Sequence, residues 1–148
     1  MKNINRVSQS EIKEQWYIVD ASGARIGRLA SKVAELLQGK NDVLKREYHK
    51  PMTKVIVINS DKIDFTSKRG MTKFYKSYSG FPGGLRFESL SELVEKNSDR
   101  PIMSAVKGML PATKRGDEML ANLKVFSGEE HPHTAQTPTV INIKELKL

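Results

Sequence analysis

Cysteine is absent from the 148 residues, which excludes disulfides and thiolate-bound metal centres and suits a reducing compartment. Aromatic residues make up only 7% and hydrophobic residues 38%, low for a compact enzyme domain yet too high for a disordered chain. No apolar run approaches the roughly 20 residues needed to cross a bilayer, so no membrane partner is expected. Met1 to Gln15 has no apolar centre of the signal-peptide kind, and Glu11 and Glu14 are foreign to transit peptides. A protein that stays soluble where it is made is the expectation.

The usual nucleotide signatures are also missing. A phosphate-binding loop needs Gly-x-x-x-x-Gly-Lys-Ser/Thr between a strand and a helix, and no segment matches it. The first strand-to-helix turn reads "SGARIGRLA", with Gly23 and Gly27 too far apart for a dinucleotide fingerprint. No Ser/His/Asp or paired-carboxylate arrangement can be placed, so no catalytic residue is assigned. His131 and His133 share one face of an extended "HPH" segment, but the third histidine, His49, is remote. Contact with a phosphate or base edge, or a purely structural role, fits them better than a metal. No cofactor, metal or small-molecule substrate is expected.

What the chain does have is positive charge: 25 Lys and Arg against 17 Asp and Glu, a net +8. Such an excess attracts polyanions over long range and is silent about fold. Its placement is uneven. Residues 66–86 carry five cations and no carboxylate, whereas residues 87–100 carry four carboxylates and two cations. That asymmetry predicts one basic face, although a solubilising surface would give a similar count.

The elements follow from periodicity. "WYIVD" (16–20) reads as a buried strand, and Leu29, Val33, Leu36 and Leu37 line one face of a helix ending at Gly39. Val55–Ile58 is a second strand, and strand–helix–strand over roughly 40 residues predicts a parallel pair. Ser89 and Glu92 form a capping box for a short helix. Pro101 suits the first position of the next helix, whose apolar spacing runs through Ile102, Val106, Met109 and Leu110 to a stop at Pro111. A further helix covers Met119 and Leu120, "LKVFSG" is a third core strand, and the tail is extended. The glycine-rich stretch "FYKSYSGFPGGLR" (74–86) shows too little periodicity for a regular element.

Candidate binding residues are cations, rings and glycines that sit together. Arg25 and Arg28 flank a helix N-terminus, where unpaired amides favour a phosphate. The loop over 38–54 supplies Lys40, Lys45 and Arg46. The stretch over 66–86 supplies Lys68, Arg69, Lys73, Lys76 and Arg86, with Tyr75 and Tyr78 interleaved beside Phe74 and Phe81. Rings among cations suit RNA, stacking on unpaired bases while the charges hold phosphates. Gly80, Gly83 and Gly84 would let a ribose-phosphate chain come close to the backbone. The bland alternative is that Tyr75 and Phe81 simply anchor the loop.

Five segments, "WYIVDASGARIGRLASKVAELLQGK", "VIVINSDKI", "YSGFPGGL", "AVKGMLP" and "LKVFSGEEHPHTAQTP", resemble in order and spacing the bacterial form of the family of the thirteenth large-subunit ribosomal protein. The resemblance implies a three-layer α/β/α domain with a parallel sheet of about four strands, plus basic loops and extended termini. It implies one domain over 1–148, with an arm (1–15), an α/β core (16–128) and a tail (129–148). It also implies early binding to large-subunit (23S-type) rRNA beside neighbouring ribosomal proteins, a role in assembly, a cytoplasmic place in the ribosome, and no catalysis. In the family the segments matching Ser79 to Leu85 and Lys107 to Pro111 lie close to RNA. Arg28, Gly80, Gly83, Gly84, Lys107, His131 and His133 carry over by motif, and Lys114 and Arg115 follow in the next helix. A nucleotide-using α/β enzyme and an RNA-binding regulator outside the ribosome are the alternatives.

Two departures stand out. Met52 and Thr53 replace a usual Gly-Asp pair before the second strand. Asp117, Glu118 and Asn122 stand in a helix that is normally more basic.

Overall fold

The computed structural model describes residues 14–43, 48–64 and 72–141. Strand β1 (Gln15–Asp20) leads through a turn into helix α1 (Ile26–Leu37), which returns the chain to strand β2 (Thr53–Ile58). β1 and β2 pair in parallel, Gln15 opposite Thr53 through Asp20 opposite Ile58. Helix α1 forms because seven apolar residues, from Ile26 to Leu37, fall on one buried face. It stops because Gly39 takes the left-handed conformation at φ 64°, which a side chain disfavours.

After β2 a one-turn 3-10 helix (Ser60–Lys62) leads to an antiparallel hairpin, β3 (Phe74–Tyr78) with β4 (Leu85–Ser89). Ser89 then caps helix α2 (Leu90–Lys96) through the full capping box with Glu92, as the sequence predicts. Helix α3 (Asp99–Met109) follows. Pro101 is its third residue rather than its first, which the helix tolerates because amides of the whole first turn lack partners anyway. Helix α4 (Lys114–Ala121), strand β5 (Leu123–Val125) and strand β6 (Thr139–Ile141) complete the order.

The main sheet runs β5-β2-β1-β6 with every pair parallel, the layered α/β fold that the sequence implies. Strand alternation divides its side chains between two faces. Val19, Val55, Val57 and Leu123 join residues of all four helices in one core that includes Leu29, Leu37, Leu90, Ile102, Val106 and Met119. Ile18 and Ile56, also buried, point the other way. That second face is backed by the segment after β5: Gly128 O accepts from Asn59 N at the far end of β2, and the His133 ring lies 5.2 Å from Trp16. The third layer is therefore an extended segment with a one-turn 3-10 helix (Thr134–Gln136).

The hairpin corrects the sequence reading of 74–86 as irregular. Its strands alternate, but three of the five β3 side chains face solvent, two of them aromatic, so the pattern of a half-buried strand is inverted.

Candidate nucleic-acid interface

The "KGMLP" segment owes its shape to the end of one helix and the start of another. Helix α3 buries Ile102 and Val106, and Leu110 N then closes the last turn on Val106 O. Pro111 cannot continue the helix. Two residues later Thr113 caps α4, its hydroxyl accepting from Gly116 N at 3.4 Å, while Thr113 N donates to Pro111 O at 2.9 Å. Gly116 abuts that same carbonyl: an added Cβ would stand 1.8 Å from Pro111 O. The turn and the helix start thus fit only because residue 116 has no side chain.

Beside this turn the end of α1 is fixed by Gln38, whose side-chain amide donates to Met109 O at 3.3 Å. The two helix ends and α4 enclose an open groove of about 850 Å³, lined among others by Lys40, Met109, Pro111 and Arg115. The structure thus brings Lys40 to the segment around Lys107 and Lys114, residues far apart in sequence. Lys40, Lys107 and Lys114 are exposed. The charges of Lys40 and Lys107 also complement the carbonyl ends of α1 and α3.

Arg115 does something the sequence did not suggest. Half-buried, it donates to His49 O at 2.7 Å, and Asn122 Nδ2 donates to Pro51 O at 3.1 Å. The two side chains hold the 48–53 turn against α4, so the unusual turn and the unusual Asn122 belong to one arrangement. Replacing Asn122 with alanine leaves Pro51 O without this donor; the expected cost is about 1 kcal/mol. That is a fall of roughly 2–4 °C in thermal midpoint, measurable by calorimetry.

Other predicted residues lie elsewhere. Arg25 occupies the N-cap of α1, roughly 18 Å from the groove along a twelve-residue helix. Its Nε is 3.8 Å from the Asp64 carboxylate. Arg28 is exposed one turn on, and no acidic residue occupies the first turn of α1.

On the hairpin, Lys73, Lys76, Tyr78 and Arg86 are exposed. Tyr75 is turned the other way, opposite Glu88. It is on the inner face, half-buried against the core, with its hydroxyl buried and without a partner. The glycines also have local causes. Gly80 and Gly83 adopt φ of 87° and 73°. At Gly84 an added Cβ would meet Ser79 Oγ at 2.1 Å and Phe81 O at 3.0 Å. The hairpin loop needs them for its own closure, which gives close approach to a nucleic acid no special claim on Gly83 and Gly84.

The histidines sit on the back of the sheet rather than with the lysines. His133 lies between Trp16 and Phe126, and His131 Nδ1 is buried without a hydrogen-bond partner. Among the described residues no three His, Cys, Asp or Glu side chains gather as a metal site. Lys45, Arg46, Lys68 and Arg69 lie outside the described residues. Sequence reasoning missed Gln38, Met109 and Thr113 at the groove, and Phe87 and Leu85 on the hairpin. Only the last pair had a signal, the alternation of 85 and 87 opposite 74, 76 and 78.

The structure is a layered α/β domain in which exposed lysines flank a turn between two helices. The family model for ribosomal protein L13 matches residues 14–132, and the chain belongs to that family of structural proteins, which are not enzymes. It is 45% identical over 142 residues to large ribosomal subunit protein uL13 of Thermobifida fusca, covering 93% of both chains. It is 43% identical over 136 residues to the protein of that name from Prochlorococcus marinus, covering 92% of this chain and 91% of the relative. The Staphylococcus epidermidis protein is 41% identical, with 93% and 95% covered.

Proposed function

We propose that this chain is a structural constituent of the large ribosomal subunit, binding large-subunit rRNA through phosphate contacts and supporting early assembly beside neighbouring large-subunit proteins. The observation that carries the reading is the family match over residues 14–132. The groove at "KGMLP" supports it, because Lys40 and Arg115 line it and exposed Lys107 and Lys114 sit in the chain segments beside it. Contacts of this kind fix the orientation of an RNA helix more than they read its sequence. The cations outside the groove would extend the contact along other faces.

The test is sedimentation of the tagged chain, expressed in bacterial cells, through sucrose gradients at high salt. Co-migration with the large subunit is expected. Recovery in free-protein fractions, or with the small subunit, would overturn the reading and leave a regulator acting outside the ribosome.

A further inference from the structure

The hairpin carries a feature that phosphate contacts leave unused. Its register places Lys76 opposite Phe87 and Tyr78 opposite Leu85, with Phe74 next along β3 on the same outer face. These large apolar side chains are exposed: Phe74 62%, Tyr78 66%, Leu85 52% and Phe87 57%. Phe81, in the loop between the strands, is 73% exposed. A contiguous apolar face of this kind on an otherwise polar chain marks an interaction surface.

Charge is sorted across the same two strands. On the inner face Glu88 is bound by Lys96 at 2.9 Å and lies 3.9 Å from Arg100. The Lys96 hydrogen bond and charge hold its carboxyl below the usual range. The outer face has no carboxylate at all. It has Lys76, whose ammonium lies 5.8 Å from the centre of the Phe87 ring.

We propose that this outer face is a stacking platform for unpaired RNA bases, with Phe74 and Phe87 as the rings and Lys76 as the phosphate contact between them. The proposal rests on the rRNA reading and gives it a second mode of contact. Phe74 and Phe87 are diagonal neighbours across the two strands, positions roughly 7–8 Å apart on one face, and rings spaced in this way take one base each. A protein partner fits less well. Burying Lys76 at the centre of such a contact would strand its charge unless the partner brought a carboxylate, whereas every nucleotide brings a phosphate.

The experiment measures binding of the full chain to a fluorescein-labelled single-stranded RNA and to an RNA duplex of equal length. Phe74→Ala with Phe87→Ala is expected to weaken single-strand binding at least about tenfold. Duplex affinity and the salt slope stay unchanged, because no phosphate contact is lost. Replacing both with tyrosine retains the affinity, and replacing both with leucine loses it. Full affinity in the leucine variant, or equal losses on single strand and duplex, would overturn the platform and favour a protein-docking face. The thermal midpoints of all variants should match wild type, since these rings are exposed. If wild type binds neither RNA, the rRNA reading falls with the platform; if it binds both and the alanine variant is unaffected, only the platform falls.

Discussion

Gly116→Ala should lower the thermal midpoint by roughly 4–8 °C, a larger change than its single methyl group suggests. The new Cβ would stand 1.8 Å from Pro111 O and 3.0 Å from Pro111 C, both backbone atoms. No rotamer relieves such a contact. Either α4 moves off the "KGMLP" turn or the turn itself opens, and Pro111 resists because its ring fixes φ. Overpacking of this sort costs about 1–3 kcal/mol, and backbone against backbone belongs at or beyond the upper end. Alanine is the better helix former by about 1 kcal/mol, which offsets part of the loss and leaves about 2 kcal/mol. Gly108→Ala supplies the control. It is also helical, but its added Cβ meets nothing within 4 Å. That variant should hold or gain stability, by up to about 1 kcal/mol. Equal midpoints for the two variants would mean that Gly116 is not held against Pro111.

The contrast between those glycines shows where the sequence stops being readable. Helix α1 was legible because its seven apolar positions repeat at helical spacing, and α2 because a capping box is a local hydrogen-bond pattern. The parallel pairing of β1 and β2 followed from the helix between them. The hairpin was not legible, since its rings face water where a core-facing pattern is expected, and Pro82 and three glycines obscured the two short strands. Gly84 and Gly116 are fixed by atoms that only the folded chain brings near.

The candidate site divides in the same way. Basic residues could be counted, but the count could not separate Arg115, which supports the turn through His49 O, from Lys114 beside it, exposed to solvent. Nor could it separate Tyr75, turned against the core, from Tyr78, turned outward. A charge or ring earns a binding role only after its structural partners are subtracted, and those partners lie on other elements. The neighbourhood of Lys40 and Pro111 likewise arises from the packing of α1 on α3, with no trace in the linear order.

On the rRNA reading, Lys40→Ala, Lys107→Ala and Lys114→Ala together should flatten the salt dependence of binding to large-subunit rRNA fragments. All three lysines are exposed; Lys40 lines the groove, and the other two are near neighbours in the chain of residues that do. Each neutralised phosphate contributes about 0.7–0.9 to the log–log slope, so losing three lowers its magnitude by about 2–2.7. Over a fourfold rise in salt, three such contacts account for roughly 20- to 40-fold in affinity, and the variant should be spared that share of the loss. The weakening at low salt should be uniform across RNA sequences, because these contacts orient without reading bases. Folding should be unaffected, since exposed lysines without buried partners contribute little to stability. This separates the triple variant from Arg115→Ala, which removes the donor to His49 O and so lowers the thermal midpoint as well. An unchanged slope in the triple variant would remove the groove from the interface. Binding would then have to rest on the hairpin and on the cations at the opposite end of α1.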